Sequence, residues 1–140
     1  MRYGSHRFWP CIATAVAVIV IAVPAASAAV VKYDTQVGMY PWRGGLYDGY
    51  VKSTVTKCME GRRVVLYKQR SGADRKLATA RSAFVSSEGE GWWEVDLARA
   101  QLPRRGGLAY ARVMPKVGDG FVCRADRSEI RGLSVPPRHH

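Results

Sequence analysis

From residue 49 to residue 133, runs of β-branched and aromatic residues recur at intervals of roughly 8–12 residues, each cut by Gly, Pro, Ser or Asp. No stretch of that span carries the 3.6-residue apolar period of an amphipathic helix, and there is no internal repeat or heptad. A chain punctuated this often has room only for short strands that reverse direction at each turn. The pattern predicts an all-β fold: a single antiparallel β-sandwich of about seven short strands.

Within the runs, side chains sort by alternation, because successive residues of a strand point to opposite faces. Over residues 58–68, after a tight turn at Gly61, Arg62, Val64 and Leu66 share one face; Arg63, Val65 and Tyr67 share the other. Residues 49–56 set Tyr50, Lys52, Thr54 and Thr56 against Val51, Ser53 and Val55. Residues 76–85 read as two small strands with a bend near Arg81, and the SSEGEG stretch, 86–91, as a loop. The sharpest alternation lies at 91–97, where Trp93, Val95 and Leu97 are expected in the core with Val64 and Leu66. Trp92, Glu94 and Asp96 then face outward, the two acids placed to pair with arginines. One helical turn is expected at 98–102, and further strands at 108–114, at 121–123 and near 127–133.

The N-terminus has a different character. Arg2 and Arg7 flank an uncharged run, 8–31, whose most apolar part is 12–23; Pro24 breaks it, and Ala26-Ser27-Ala28 has the small-x-small form of a signal peptidase site. Residues 1–28 therefore read as a signal peptide cleaved after Ala28, giving a secreted, extracellular product of 112 residues. The competing reading is a retained anchor, since a span needs only about 20 helical residues. Residues 29–46 lead into a β-sandwich domain at 47–133, and 134–140 form a disordered tail after Pro136-Pro137.

Export decides how the cysteines are read. Cys11 leaves with the signal, so Cys58 and Cys123 remain as a pair in an oxidising compartment and are expected to form a disulfide. A bridge closing that loop stabilises by about 4 kcal/mol in the chain-entropy model. No metal site or cofactor is expected: the mature chain's histidines are His139 and His140, on the tail, and no Cys-x-x-Cys occurs. The formal charge of +11 makes anionic wall polymers, lipid headgroups or nucleic acid conceivable partners. The basic residues are spread from Lys32 to Arg138, however, which reads as a solvated surface, and no nucleic-acid reading motif is present.

An enzyme needs a constellation of groups. A Ser-His-acid set lacks a histidine outside the tail; Glu88 and Glu90 lie on the expected loop; Arg104-Arg105-Gly106-Gly107 lacks the context and the Lys-Ser/Thr ending of a phosphate cradle. Catalysis is not expected. The candidate binding surface is the outward face carrying Trp92, with Trp42 and Tyr40 from the aromatic-rich leader. The alternative for these rings is that they cover a small core.

Ordered along the chain, Tyr47-x-Gly49-x-Val51, Lys57-Cys58-x-x-Gly61-Arg62-x-Val64-x-Leu66-Tyr67, Gly72-Ala73-Asp74-x-x-Leu77, Gly91-x-Trp93-x-Val95, Tyr110-Ala111-x-Val113 and Cys123 form a series. It resembles secreted bacterial domains of the prealbumin-like or carboxypeptidase-regulatory-like β-sandwich group. Trp92 beside Trp93 departs from that group's plainer pattern. The resemblance implies a seven-strand sandwich and a structural, adhesive or accessory role. The sequence thus points to a secreted noncatalytic binding or structural module of the bacterial cell exterior. Its expected partners are a cell-wall polymer, a glycan or another envelope protein, with membrane contact only if the signal is uncleaved. The alternative is a secreted enzyme or enzyme inhibitor acting through its loops.

Overall fold

The computed structural model describes residues 19–22, 27–41, 43–98 and 107–132. Most of the signal segment, Trp42, all but Ala98 of the expected helical turn, the Arg104-Arg105-Gly106 run and the tail lie outside the described residues.

Two five-stranded sheets carry the fold. In sheet I the order is β2 (Thr35–Val37), β4 (Leu46–Ser53), β8 (Glu90–Asp96), β7 (Ala83–Val85), with β3 (Tyr40–Pro41) also on β4. In sheet II it is β12 (Asp126–Arg127), β9 (Leu108–Val113), β5 (Arg63–Lys68), β6 (Arg75–Arg81), with β13 (Arg131–Gly132) also on β9. Every pairing in these two sheets is antiparallel. A small sheet III joins β1 (Val31–Tyr33) in parallel to β11 (Phe121–Cys123), and β11 to β10 (Lys116–Gly118). The fold is all-β and of sandwich type, as the spacing of turns predicts.

The strand count is corrected: thirteen strands in three sheets lie among the described residues, not seven in one sandwich. The cause is length. Eight of the thirteen have two or three residues, too few to display a period of two. The leader supplies three of these, β1, β2 and β3, and the expected final strand is the two fragments β12 and β13. The bend near Arg81 does separate two strands, β6 and β7. The run at 58–68 becomes a strand only from Arg63, since Thr56–Cys58 forms a 3-10 turn and Gly61 takes a left-handed φ of 64°. That conformation is costly for a residue with a Cβ, so the turn is set by Gly61.

The apolar core lies between sheets I and II. Tyr47, Val51, Trp93, Val95 and Leu97 come from the sheet I side, and Val64, Leu66, Leu77, Ala109, Ala111 and Val113 from sheet II. All five expected core residues, Val64, Leu66, Trp93, Val95 and Leu97, are in it. Trp92 is only half-buried, so the two adjacent tryptophans divide as alternation requires.

Candidate functional site

One end of the sandwich is fixed by covalent and polar ties that meet at Arg62. Cys58 and Cys123 are bridged, with Cα atoms 5.5 Å apart, which fastens sheet III to the 3-10 turn. Lys57 adds to this end by placing its ammonium 4.1 Å from the Phe121 ring centroid and 5.1 Å from that of Tyr33. Arg62, 1% exposed, donates through Nη1 to Thr35 Oγ1 (3.0 Å) and the Cys58 carbonyl (2.7 Å). Through Nη2 it donates to the carbonyls of Met114 (2.7 Å) and Arg124 (2.9 Å). Burial pulls this guanidinium's pKa below its ordinary value. Its partners are neutral oxygens from four separate segments, so Arg62 acts as a structural clasp rather than an exposed anion receptor.

The outward face of sheet I holds the aromatic residues expected to bind. Cross-strand register sets Ala83, Trp92 and Tyr50 in one row, and Glu94, Asp48 and Tyr40 in another. Tyr40, 44% exposed, has its ring centroid 6.0 Å from that of Tyr50. The Tyr50 ring fills the space over Gly38, where a Cβ would stand 2.2 Å from its Cε1. Lys52 sits 4.6 Å from the Tyr50 centroid and pairs with Glu90 at 2.7 Å. Glu90 holds the Lys52 ammonium above its ordinary pKa. Tyr50 is therefore packed in place, and Tyr40 and Trp92 flank it. Glu94 and Asp96 face outward as expected, but among the described residues no arginine pairs with them. A shallow depression of about 180 Å3 beside Tyr40 and Tyr50 ends at Glu129 and Arg131, which pair with each other at 2.8 Å. It is smaller than the roughly 300–1,000 Å3 clefts that enclose small substrates.

The outward face of sheet II is different in chemistry. Its rows are Arg81 opposite Arg63; Thr79, Val65, Arg112 and Arg127; and Lys76, Tyr67 and Tyr110. Tyr67 and Tyr110 are stacked with centroids 5.4 Å apart, and the Arg127 guanidinium lies 3.9 Å from the Tyr110 centroid. Tyr110 donates its hydroxyl to Asp74 Oδ2 at 2.6 Å, and Asp74 also accepts the Arg70 N–H at 3.0 Å. The Tyr110 hydrogen bond, then that of Arg70, holds the Asp74 carboxyl below its ordinary pKa; burial first, then Asp74, pushes the Tyr110 phenol up. The two shifts agree in favouring an ionised Asp74 beside a protonated Tyr110. Val65 is 1% exposed although it faces outward, so this surface is clothed by its long neighbours.

Fold thus sorts charge that is dispersed in the sequence. The strands of sheet II carry Arg63, Lys68, Arg75, Lys76, Arg81, Arg112, Arg127 and Arg131 against Asp126 alone. Asp126 turns away from solvent and accepts the Val37 N–H at 2.9 Å. The strands of sheet I carry Asp48, Glu90, Glu94 and Asp96 against Lys52 alone. Of the expected surface residues, Tyr40 and Trp92 share one face, while Trp42 lies outside the described residues. The arginines of sheet II were missed by reading the sequence as evenly basic. Alternation gives Arg63 and Arg112 an outward direction, but only strand pairing sets them beside Arg81 and Arg127. In comparisons with known proteins, the sequence matches no family model and no curated protein.

Proposed function

We propose that this chain is a secreted, noncatalytic binding or structural module of the bacterial cell exterior, working through its outer sheet faces. The observation that carries this reading is the sorting of surface charge onto the two outer faces, Arg63, Lys76, Arg81, Arg112 and Arg127 on sheet II and Asp48, Glu90, Glu94 and Asp96 with aromatic rings on sheet I. A five-stranded outer face suits an extended partner such as a wall polymer, a glycan or another envelope protein. The likeness to prealbumin-like and carboxypeptidase-regulatory-like domains, carried by the motif series from Tyr47 to Cys123, supports the same accessory role. The signal-like segment ending in Ala26-Ser27-Ala28 supports export, and the Cys58–Cys123 bridge suits an oxidising exterior.

A glycan and wall-polymer array probed with the refolded chain from residue 29 tests the reading. Saturable binding to one polymer class is expected. Turnover in a broad hydrolase screen, with no retention on any array surface, overturns it.

A further inference from the structure

The arginines on the outward face of sheet II are placed in a way that folding alone does not explain. Arg63 lies directly opposite Arg81, and Arg112 directly opposite Arg127. Like charges in directly opposed cross-strand positions destabilise a sheet. Among the described residues no carboxylate forms a close salt bridge with any of these four or with Lys76; Asp74, beside Tyr110, attracts Arg127 at longer range, and Arg81 gains only a 3.1 Å bond to the Gly61 carbonyl. Stepping from β12 to β9, β5 and β6, the four arginines form a diagonal band: the Arg127–Arg112 row meets β5 at Val65, two residues along from Arg63, and the three strand steps cover about 14 Å across the sheet. We infer that this band, Arg127–Arg112–Arg63–Arg81, is the docking track for an extended anionic polysaccharide whose carboxylates or sulfates the guanidinium forks engage.

Three observations favour that occupant. Guanidinium groups grip carboxylate, sulfate and phosphate oxygens in a bidentate manner, and a band of four suits a linear polymer better than a single small anion. The rings beside it are already used: Tyr110 has Tyr67 on one side and Arg127 on the other, so it offers no free face for a nucleobase to stack on. The acidic face of a second copy is a weaker match, because Glu90 there is already held by Lys52.

The inference rests on the binding-module reading and sharpens it to one face and one ligand class. Its test measures retention of the refolded chain on heparin and on polygalacturonate, with a neutral glucan and single-stranded DNA alongside. The variants are Arg63→Ser/Arg112→Ser and a charge-matched control, Lys32→Ser/Lys52→Ser, on the other two sheets. The wild type is expected to bind one or both anionic glycans and not the glucan. The sheet II variant should lose at least tenfold in affinity and lower the slope of log Kd against log salt by about two, by analogy with ion release from nucleic acids. The control should change affinity less than twofold. Arg63→Lys/Arg112→Lys, which keeps charge but not the fork, should fall between, and it serves if the serine variant does not fold. Equal losses in control and variant mean unspecific attraction and overturn the proposal, as does tighter binding to DNA than to either glycan. Salt-sensitive self-association abolished by Glu94→Ala/Asp96→Ala would assign the band to a second copy. Glycan binding lost in Trp92→Ala but intact in Arg63→Ser/Arg112→Ser would move the site to sheet I, leaving the module reading standing and this inference refuted.

Discussion

Sheets I and II have the same number of strands, share one core and turn opposite charge to the outside. Sheet I shows Glu94, Asp48 and a Lys52–Glu90 pair around packed rings; sheet II shows a band of arginines with one carboxylate, Asp74, at its edge beside Tyr110 and Arg127. Their inner sides are alike because one apolar layer must satisfy both. Their outer sides are free to differ because water accepts either sign. The difference teaches that an even distribution of charge along a sequence says little about its distribution in space. Here a formally dispersed excess of cations becomes one basic and one acidic sheet face once strands pair.

The largest expected effects test the shared inner layer. Trp93→Ala should cost about 3–5 kcal/mol as a large-to-small core change. Trp92→Ala, one residue away on the outer side of the same strand, should cost much less. Urea melts of the two variants check this, and equal losses would break the assignment of inner and outer faces. Next comes the staple that ties sheet III to the two main sheets. Reduction of the Cys58–Cys123 bridge should remove about 4 kcal/mol, comparable to the lower end of stability for a small domain. Cys58→Ala/Cys123→Ala should mimic reduction with no further loss; a thiol label reacting with both cysteines in the oxidised folded protein contradicts the bridge.

A smaller effect separates the two faces by pH. Asp74 has a folded pKa below its unfolded value, so its contribution to stability is present above the ordinary carboxylate range and lost as pH falls through the folded pKa. Tyr110 has a folded pKa above its unfolded value, so its contribution is complete below the ordinary phenol pKa of 10.0 and lost as pH rises through the folded one. Asp74→Asn should flatten the acid limb of a stability-against-pH profile and lower the pH at which Tyr110 ionises, read by its ultraviolet absorbance. An unchanged profile means that the pair at the edge of sheet II is not coupled.

The smallest expected effect has opposite signs on the two faces. Arg63→Ala removes one member of a like-charged pair and should stabilise by a few tenths of a kcal/mol at low salt. Lys52→Ala removes the only cation on the strands of sheet I and should destabilise slightly. Both differences should shrink as salt is added. The same sign for both would dissolve the comparison between the faces.

Much of the fold was legible because alternation is local. A strand's side chains point to opposite sides whatever it pairs with, so Val64, Leu66, Trp93, Val95 and Leu97 could be placed inside and Trp92 outside from spacing alone. The turn at Gly61, the bend near Arg81 and the cysteine pair were equally visible, each resting on a residue's own chemistry. Apart from β7 and β11, the short strands were not legible as separate elements, since two or three residues hold no period and form only because a neighbour offers free backbone groups. Nor was the fate of Arg62, whose apolar-side position was readable but whose partners come from four separate segments.

By itself, then, the sequence determined the all-β class, the inward and outward sides of the strands at 62–67 and 91–97, and the two cysteines available for a bridge. Tertiary structure alone decided that two arginine pairs meet across sheet II while acids gather on sheet I. Arg63 and Arg81 stand on different strands, as do Arg112 and Arg127, and their opposition depends on register. Register is fixed by the whole buried layer together, because a one-residue slip would turn Val64, Leu66 and their partners out into water.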